Sequence, residues 1–185
     1  MHWIDPDFLP ETSGVVDLYL LNAEGEADGL VLTDGTEVHF PPHMGATVLG
    51  AVRPGSTVRI CGIRPRGVAM VAAVAVQPED GARIVDAGPP HGGEARRPAH
   101  ARRTAVEVEG VLRQKLHGPK GEVRGVLLED GRSARFPPRA GEGIEALLAP
   151  GARLLLRGDG FATEHGTVIA VREIGSSRDD LRRVR

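Results

Sequence analysis

The chain has 185 residues, 41% of them apolar and 26% charged, and a net charge of −2, proportions that suit one ordinary domain or two small ones. Its single cysteine, Cys61, excludes an internal disulfide and a cysteine-rich zinc site. No run of about 18 apolar residues is present to span a membrane as a helix.

Residues 1–13 read as an N-terminal arm, without the basic stretch and apolar run of a secretory signal. From Gly14 onward the sequence repeats itself. Residues 14–62 and 110–158 align without a gap at an offset of 96, and 16 of the 49 positions are identical. Each copy opens on a strand-like apolar run, residues 15–21 and 111–117, followed by a polar loop that contains glycine. In the first copy two short runs follow, 30–33 and 37–40, separated by Asp34-Gly35; the second copy keeps Asp130-Gly131 at the same place. Asp-Gly between such runs predicts a hairpin with a type I′ turn, whose two central residues take positive φ. Pro41-Pro42 and Pro137-Pro138 stop the strand, because proline cannot donate to a ladder and is accepted in a helix's first turn. A short helix is expected over 43–52 and over 139–149. Pro54-Gly55 and Pro150-Gly151 break it. Two more strands follow in each copy, 57–62 and 68–76, then 153–158 and 167–174, with a brief extra strand at 82–85.

Strand, strand, strand, helix, strand, strand is the order of the OB-fold, a Greek-key barrel, and each copy resembles it. The expected class is therefore all-β: two tandem five-stranded OB-like barrels, each with a short helix between its third and fourth strands. Domain 1 covers 14–87 and domain 2 covers 105–175. The intervening 88–104 is rich in proline, glycine and arginine and reads as a linker, while the basic tail 176–185 is expected to fray. The repeated Gly-Glu-x-x-Gly-x-x-Leu-x-Asp-Gly-x-x-x-x-Phe-Pro-Pro stretch also resembles segments of uncharacterised bacterial proteins, which implies no activity.

Function is sought where the copies differ. Residues 1–88 carry 12 acidic and 5 basic side chains, whereas 89–185 carry 13 and 18. OB-folds in general bind ligands across strands 2 and 3 and the loops 1–2 and 4–5. By strand alternation Val16, Leu18 and Leu20 face one way, as do Leu112, Gln114 and Leu116. The opposite face then presents Asp17 and Tyr19 in the first copy but Arg113 and Lys115 in the second. Strand 3 sets Glu37 and His39 outward against Ser133 and Arg135, and strand 4 of the second copy adds Arg153 and Arg157. The 1–2 loop has Lys120 and Arg124 where the first copy has Glu24 and Asp28, and the 4–5 loop, 158–166, holds Phe161.

A basic exterior of this kind tracks a phosphodiester backbone. Single-stranded DNA or RNA is thus the expected partner of Arg113, Lys115, Lys120, Arg124, Arg135, Arg153, Arg157 and Phe161. Stacking contributes about 1–3 kcal/mol per base, and with Phe161 and Tyr19 as nearly the whole supply of platforms, the expected binding is weak and salt-dependent. The alternative is protein–protein association, as a homo-oligomer or with another protein. It would match an acidic face of domain 1 (Asp17, Tyr19, Asp28, Glu37) to the basic face of domain 2. A third reading places a metal at His39 and His43, although the second copy has Arg135 and Arg139 there. No nucleophile elbow, phosphate-binding glycine loop or zinc-protease motif occurs, so no catalytic residue and no cofactor is expected. The sequence thus describes a non-catalytic, cytoplasmic binding protein.

Overall fold

The computed structural model describes residues 5–89, 103–138 and 140–184, with backbone alone at 141 and 142. The first copy contains strands β1 (Glu11–Leu21), β2 (Ala27–Leu32), β3 (Glu37–His39), β4 (Thr57–Ile63), β5 (Met70–Pro78) and β6 (Ile84–Val85), with helix α1 (Gly45–Ala51) between β3 and β4. The second contains β7 (Thr104–His117), β8 (Val123–Leu128), β9 (Ser133–Arg135), β10 (Arg153–Thr163), β11 (Gly166–Gly175) and β12 (Arg182–Arg183). The first sheet runs β3-β2-β1-β4-β5-β6, and a parallel β3–β5 pairing closes its first five strands into a barrel. The second runs β10-β7-β8-β9-β11-β12, closed by β10–β11, with β9 and β11 parallel. Two closed five-stranded barrels in tandem are the architecture that the repeat predicts.

Among the described residues, those of 1–20 and 26–96 form one compact unit and those of 21–25 and 97–185 the other. The end of β1 at Leu21 and the four residues after it therefore belong to the second unit. Most of the expected linker, residues 90–102, lies outside the described residues.

The shared turn differs in detail from the expected type I′. Gly35 N–H donates to the Leu32 carbonyl at 2.8 Å, and Leu32 N–H to the Thr36 carbonyl at 2.9 Å. The loop is thus three residues long, with Gly35 alone supplying the positive φ, 88°. Asp34 closes it by accepting from Thr36 N–H at 2.9 Å, and Asp130 does the same for Arg132 at 3.0 Å. Gly29 and Gly125 serve a different need. A Cβ at Gly29 would stand 2.5 Å from the Val38 carbonyl oxygen, and one at Gly125 would meet that of Ala134, so each hairpin requires a missing side chain.

Inward residues of all five strands build each interior. Val16, Leu30, Leu32, Val38, Val58 and Ile60 fill the first, and Val48 of α1 with Val52 closes its end. Leu112, Val126, Leu128, Leu154, Leu156 and Ile169 fill the second, closed by Ile144 and Leu148. Each such side chain contributes about 1.5–3 kcal/mol on burial.

Three expectations are corrected in the second copy. The helix expected over 139–149 is instead a pair of 3₁₀ turns, Ala140–Gly143 and Glu145–Leu147. Gly141 and Gly143 fall together in its first turn, where ordering the backbone for the first hydrogen bond costs most. The expected 4–5 loop is a continuing ladder, with Gly158 paired to Val171 and Thr163 to Gly166. The tail does not fray. Asp180 accepts from the N–H groups of Ser176 and Ser177, β12 pairs with β11, and Val184 joins the interior of the barrel.

Candidate nucleic-acid interface

The eight residues expected to meet a nucleic acid do not form one face. The register of β7 against β8 shifts at Arg113: Leu112 pairs with Leu128, but Gln114 pairs with Leu127 and Lys115 with Val126. A bulge of one residue reverses the alternation beyond it. Val126 belongs to the interior cluster, so Lys115 shares the inner face, while Leu116, fully buried, lies outside that cluster. The expected outward placement of Lys115 is therefore corrected. The first copy does the same thing. Tyr19, expected outside, packs against the interior and its hydroxyl donates to the Val52 carbonyl at 2.6 Å, tying β1 to the end of α1. Burial raises the proton affinity of that phenol, with Arg53 opposing.

Arg135 and Phe161 are buried as well, but on the outer face of the barrel. Phe161 pairs with Val168, Val168 with Ser133 and Ser133 with Leu127, a row across β10, β11, β9 and β8. Its members are buried, yet none belongs to the interior cluster. Segment 21–25 covers part of this surface: a Cβ at Gly25 would touch the Phe161 side chain at 3.6 Å, and the Leu21 carbonyl accepts from Arg135 Nε at 2.9 Å. Phe161 was expected as a loop aromatic open to a base. Instead it holds the Arg103 guanidinium 5.3 Å from its ring centre. The outer face of strands 2 and 3, where OB-folds in general meet ligands, is closed here.

Arg157 is committed within the barrel. It stands in register with Glu107 on β7 and Glu173 on β11. Its Nε donates to Glu107 at 2.6 Å, and Arg178 donates to the other Glu107 oxygen at 2.6 Å. These two guanidinium contacts, Arg157 first, hold the Glu107 carboxyl below its ordinary range.

Lys120 lies in the β7–β8 loop, whereas Arg124, expected in that loop, is the second residue of β8. Gly118 makes the loop tight: its N–H donates to the Glu122 carbonyl at 2.8 Å, and a Cβ there would lie 2.8 Å from Arg124 Cγ. Lys120 is exposed and Arg124 half-buried. Among the described residues neither enters an ion pair, nor does the exposed Arg153 at the start of β10. Arg153 pairs with Val111, six residues before the loop end of β7 at His117, about 20 Å away along an extended strand. It belongs to another patch. Arg113, the bulged residue, is half-buried.

In the first copy Glu37, expected on an acidic face, is buried and meets His39 Nε2 at 3.0 Å. Burial follows its place on β3, paired both to β2 and to β5. Asp17 and Asp28 stay half-buried. His43 Nε2 lies 2.8 Å from Asp86, apart from the His39–Glu37 pair, and no group of three metal-ligating side chains occurs among the described residues. Cys61 is buried, its Sγ accepting from Arg83 Nη2 at 2.9 Å. Neither Arg83 nor Arg178 is marked by any pattern in the chain, because both act from short segments that fold back beside β5 and β11.

No protein-family model matches the chain. No curated protein matches it either. Among solved structures it is similar to a deletion mutant of the single-stranded DNA binding protein from Thermus aquaticus. That match has 14% identity and a TM-score of 0.30, and covers 92% of this chain and 94% of the other. Among the described residues no helix is long and apolar enough to cross a membrane.

Proposed function

We propose that the protein is a non-catalytic binder of single-stranded nucleic acid, weak and insensitive to sequence, acting from the β7–β8 loop of the second barrel. One observation carries this: Lys120 in the β7–β8 loop and Arg124 at the start of β8 have no ion-pair partners among the described residues, where the first copy has the acids Glu24 and Asp28. With Tyr19 turned inward and Phe161 buried beneath segment 21–25, base stacking adds nothing. Contact is to phosphates, and Arg113 on the adjoining strand extends the track. About three phosphate contacts imply a slope near −2 in log affinity against log salt. Fluorescence anisotropy with a labelled oligothymidylate at low and moderate salt tests the reading. Binding that weakens steeply with salt and is lost in Lys120→Glu/Arg124→Glu supports it. Unaltered binding in that variant overturns it, as does no binding beside a salt-labile dimer in light scattering.

A further inference from the structure

The second barrel contains a cavity of about 620 Å³ that the nucleic-acid reading does not use. Its cause lies in one row of the sheet. Gly158 stands between Val106 on β7 and Val171 on β11, and a Cβ at Gly158 would meet the Ala170 carbonyl oxygen. The middle of the row therefore has no side chain, which leaves a hollow between two valines. Val184 and Pro137 extend its apolar wall.

The rim is charged and unevenly satisfied. Three arginines, Arg157, Arg172 and Arg183, line it against two glutamates, Glu107 and Glu173. Both Glu107 oxygens are occupied, one by Arg157 at 2.6 Å and the other by Arg178. Glu173 faces Arg157 at 3.6 Å, and Arg172 reaches Asp159 at 3.1 Å. Arg183, on the strap that forms one wall, enters no ion pair among the described residues. The guanidinium donors thus exceed the carboxylate acceptors. A cavity of this size, apolar in its wall with a few convergent polar groups, has the dimensions of a small-molecule site. The first copy lacks the rim: by strand register Cys61, Val74 and Ala75 stand where the second has Arg157, Arg172 and Glu173.

We propose that this cavity binds a small amphipathic organic anion. Its apolar body lies against Val106, Val171, Val184 and Pro137, and its carboxylate or sulfonate meets Arg183 and Arg172. The test is a fluorescence titration of the full chain with 8-anilinonaphthalene-1-sulfonate, with octanoate as competitor. Saturable binding of one probe per chain, displaced by octanoate, is expected. Ala105→Trp, which fills the cavity from its exposed edge, should weaken the probe at least tenfold, and Arg183→Glu at least fivefold. Urea midpoints matching the parent protein show that both variants fold. Should Ala105→Trp fail to fold, Arg183→Glu alone decides. Probe binding that does not saturate, or that persists at parental affinity in the folded variants, overturns the proposal.

Discussion

The two barrels share a ladder and part company in what they set on its exterior. Where β4 of the first meets β1, Cys61 stands opposite Glu11 and receives Arg83; where β10 of the second meets β7, Arg157 stands opposite Glu107, and it is Glu107 that receives Arg178. In both, the segment after the fifth strand folds back to supply a guanidinium to the same row. One barrel uses it on a thiol and the other on a carboxylate. Both β4 and β10 also break register at that point, between Cys61 and Gly62 and between Arg157 and Gly158. The lesson is that the duplicated backbone keeps its irregularities while the chemistry mounted on them changes. A bulge is part of the fold, and charge is the variable.

The strongest test of equivalence is in the interiors. Leu32 and Leu128 are both fully buried, at matching places on β2 and β8. Each contacts the space where a Cβ would be on Gly14 or Gly110, at 2.7 and 2.6 Å. Leu32→Ala and Leu128→Ala should each cost about 2–5 kcal/mol, through lost burial and the cavity left behind. Urea denaturation followed by hydrogen exchange, which reads each barrel separately, checks this. Losses differing by more than twofold would break the equivalence of the two interiors.

A smaller effect separates the copies. Tyr19 and Lys115 occupy equivalent inward positions, and of the two Tyr19 has a defined partner, the Val52 carbonyl at 2.6 Å. Tyr19→Phe should cost about 1 kcal/mol, the net value of one hydrogen bond with its acceptor left behind. Lys115→Met removes a charge from an inner face and keeps the stem that packs there, so stability should hold or rise. A loss in Lys115→Met equal to that in Tyr19→Phe would mean that the lysine is an anchor too.

The overall architecture was legible from the repeat, because glycines and Asp-Gly turns are constrained by backbone geometry and recur at fixed offset. Side-chain direction was less so. Alternation counts residues, and a single extra residue at Arg113 moves Lys115 from outside to inside. Nothing in the composition of β7 marks that bulge. Phe161 was misplaced for a different reason: Gly158, Asp159 and Gly160 read as a loop, but Gly158 and Gly160 fit close approaches within a ladder to β7 and β11. The tail's polar composition suggested fraying, whereas Val184, one of its two apolar residues, is buried and helps to anchor it. Lys120 lies in the loop after β7, and Arg124 at the start of the ladder beyond it, because β8 begins one residue earlier, at Val123.

The smallest expected effect lies in acid sensitivity. Glu107, Asp130 and Asp180, all in the second, are held below the ordinary carboxylate range, by Arg157 and Arg178, by Arg132, and by Ser176 and Ser177 respectively. A carboxyl that binds its proton less readily when folded stabilises the fold fully above its unfolded value, which for Glu107 is 4.5. As the pH falls below that value the unfolded chain takes up protons first, and the contribution is lost as the pH passes through the folded value. Protection of the second barrel in hydrogen exchange should therefore decline between about pH 5 and pH 3, and Glu107→Gln should flatten part of that decline. Because Glu107 and its arginines are exposed, added salt should flatten it as well. A decline left unchanged by Glu107→Gln would show that the Arg157–Glu107–Arg178 row is a surface arrangement without energetic weight, and that the copies differ there in appearance alone.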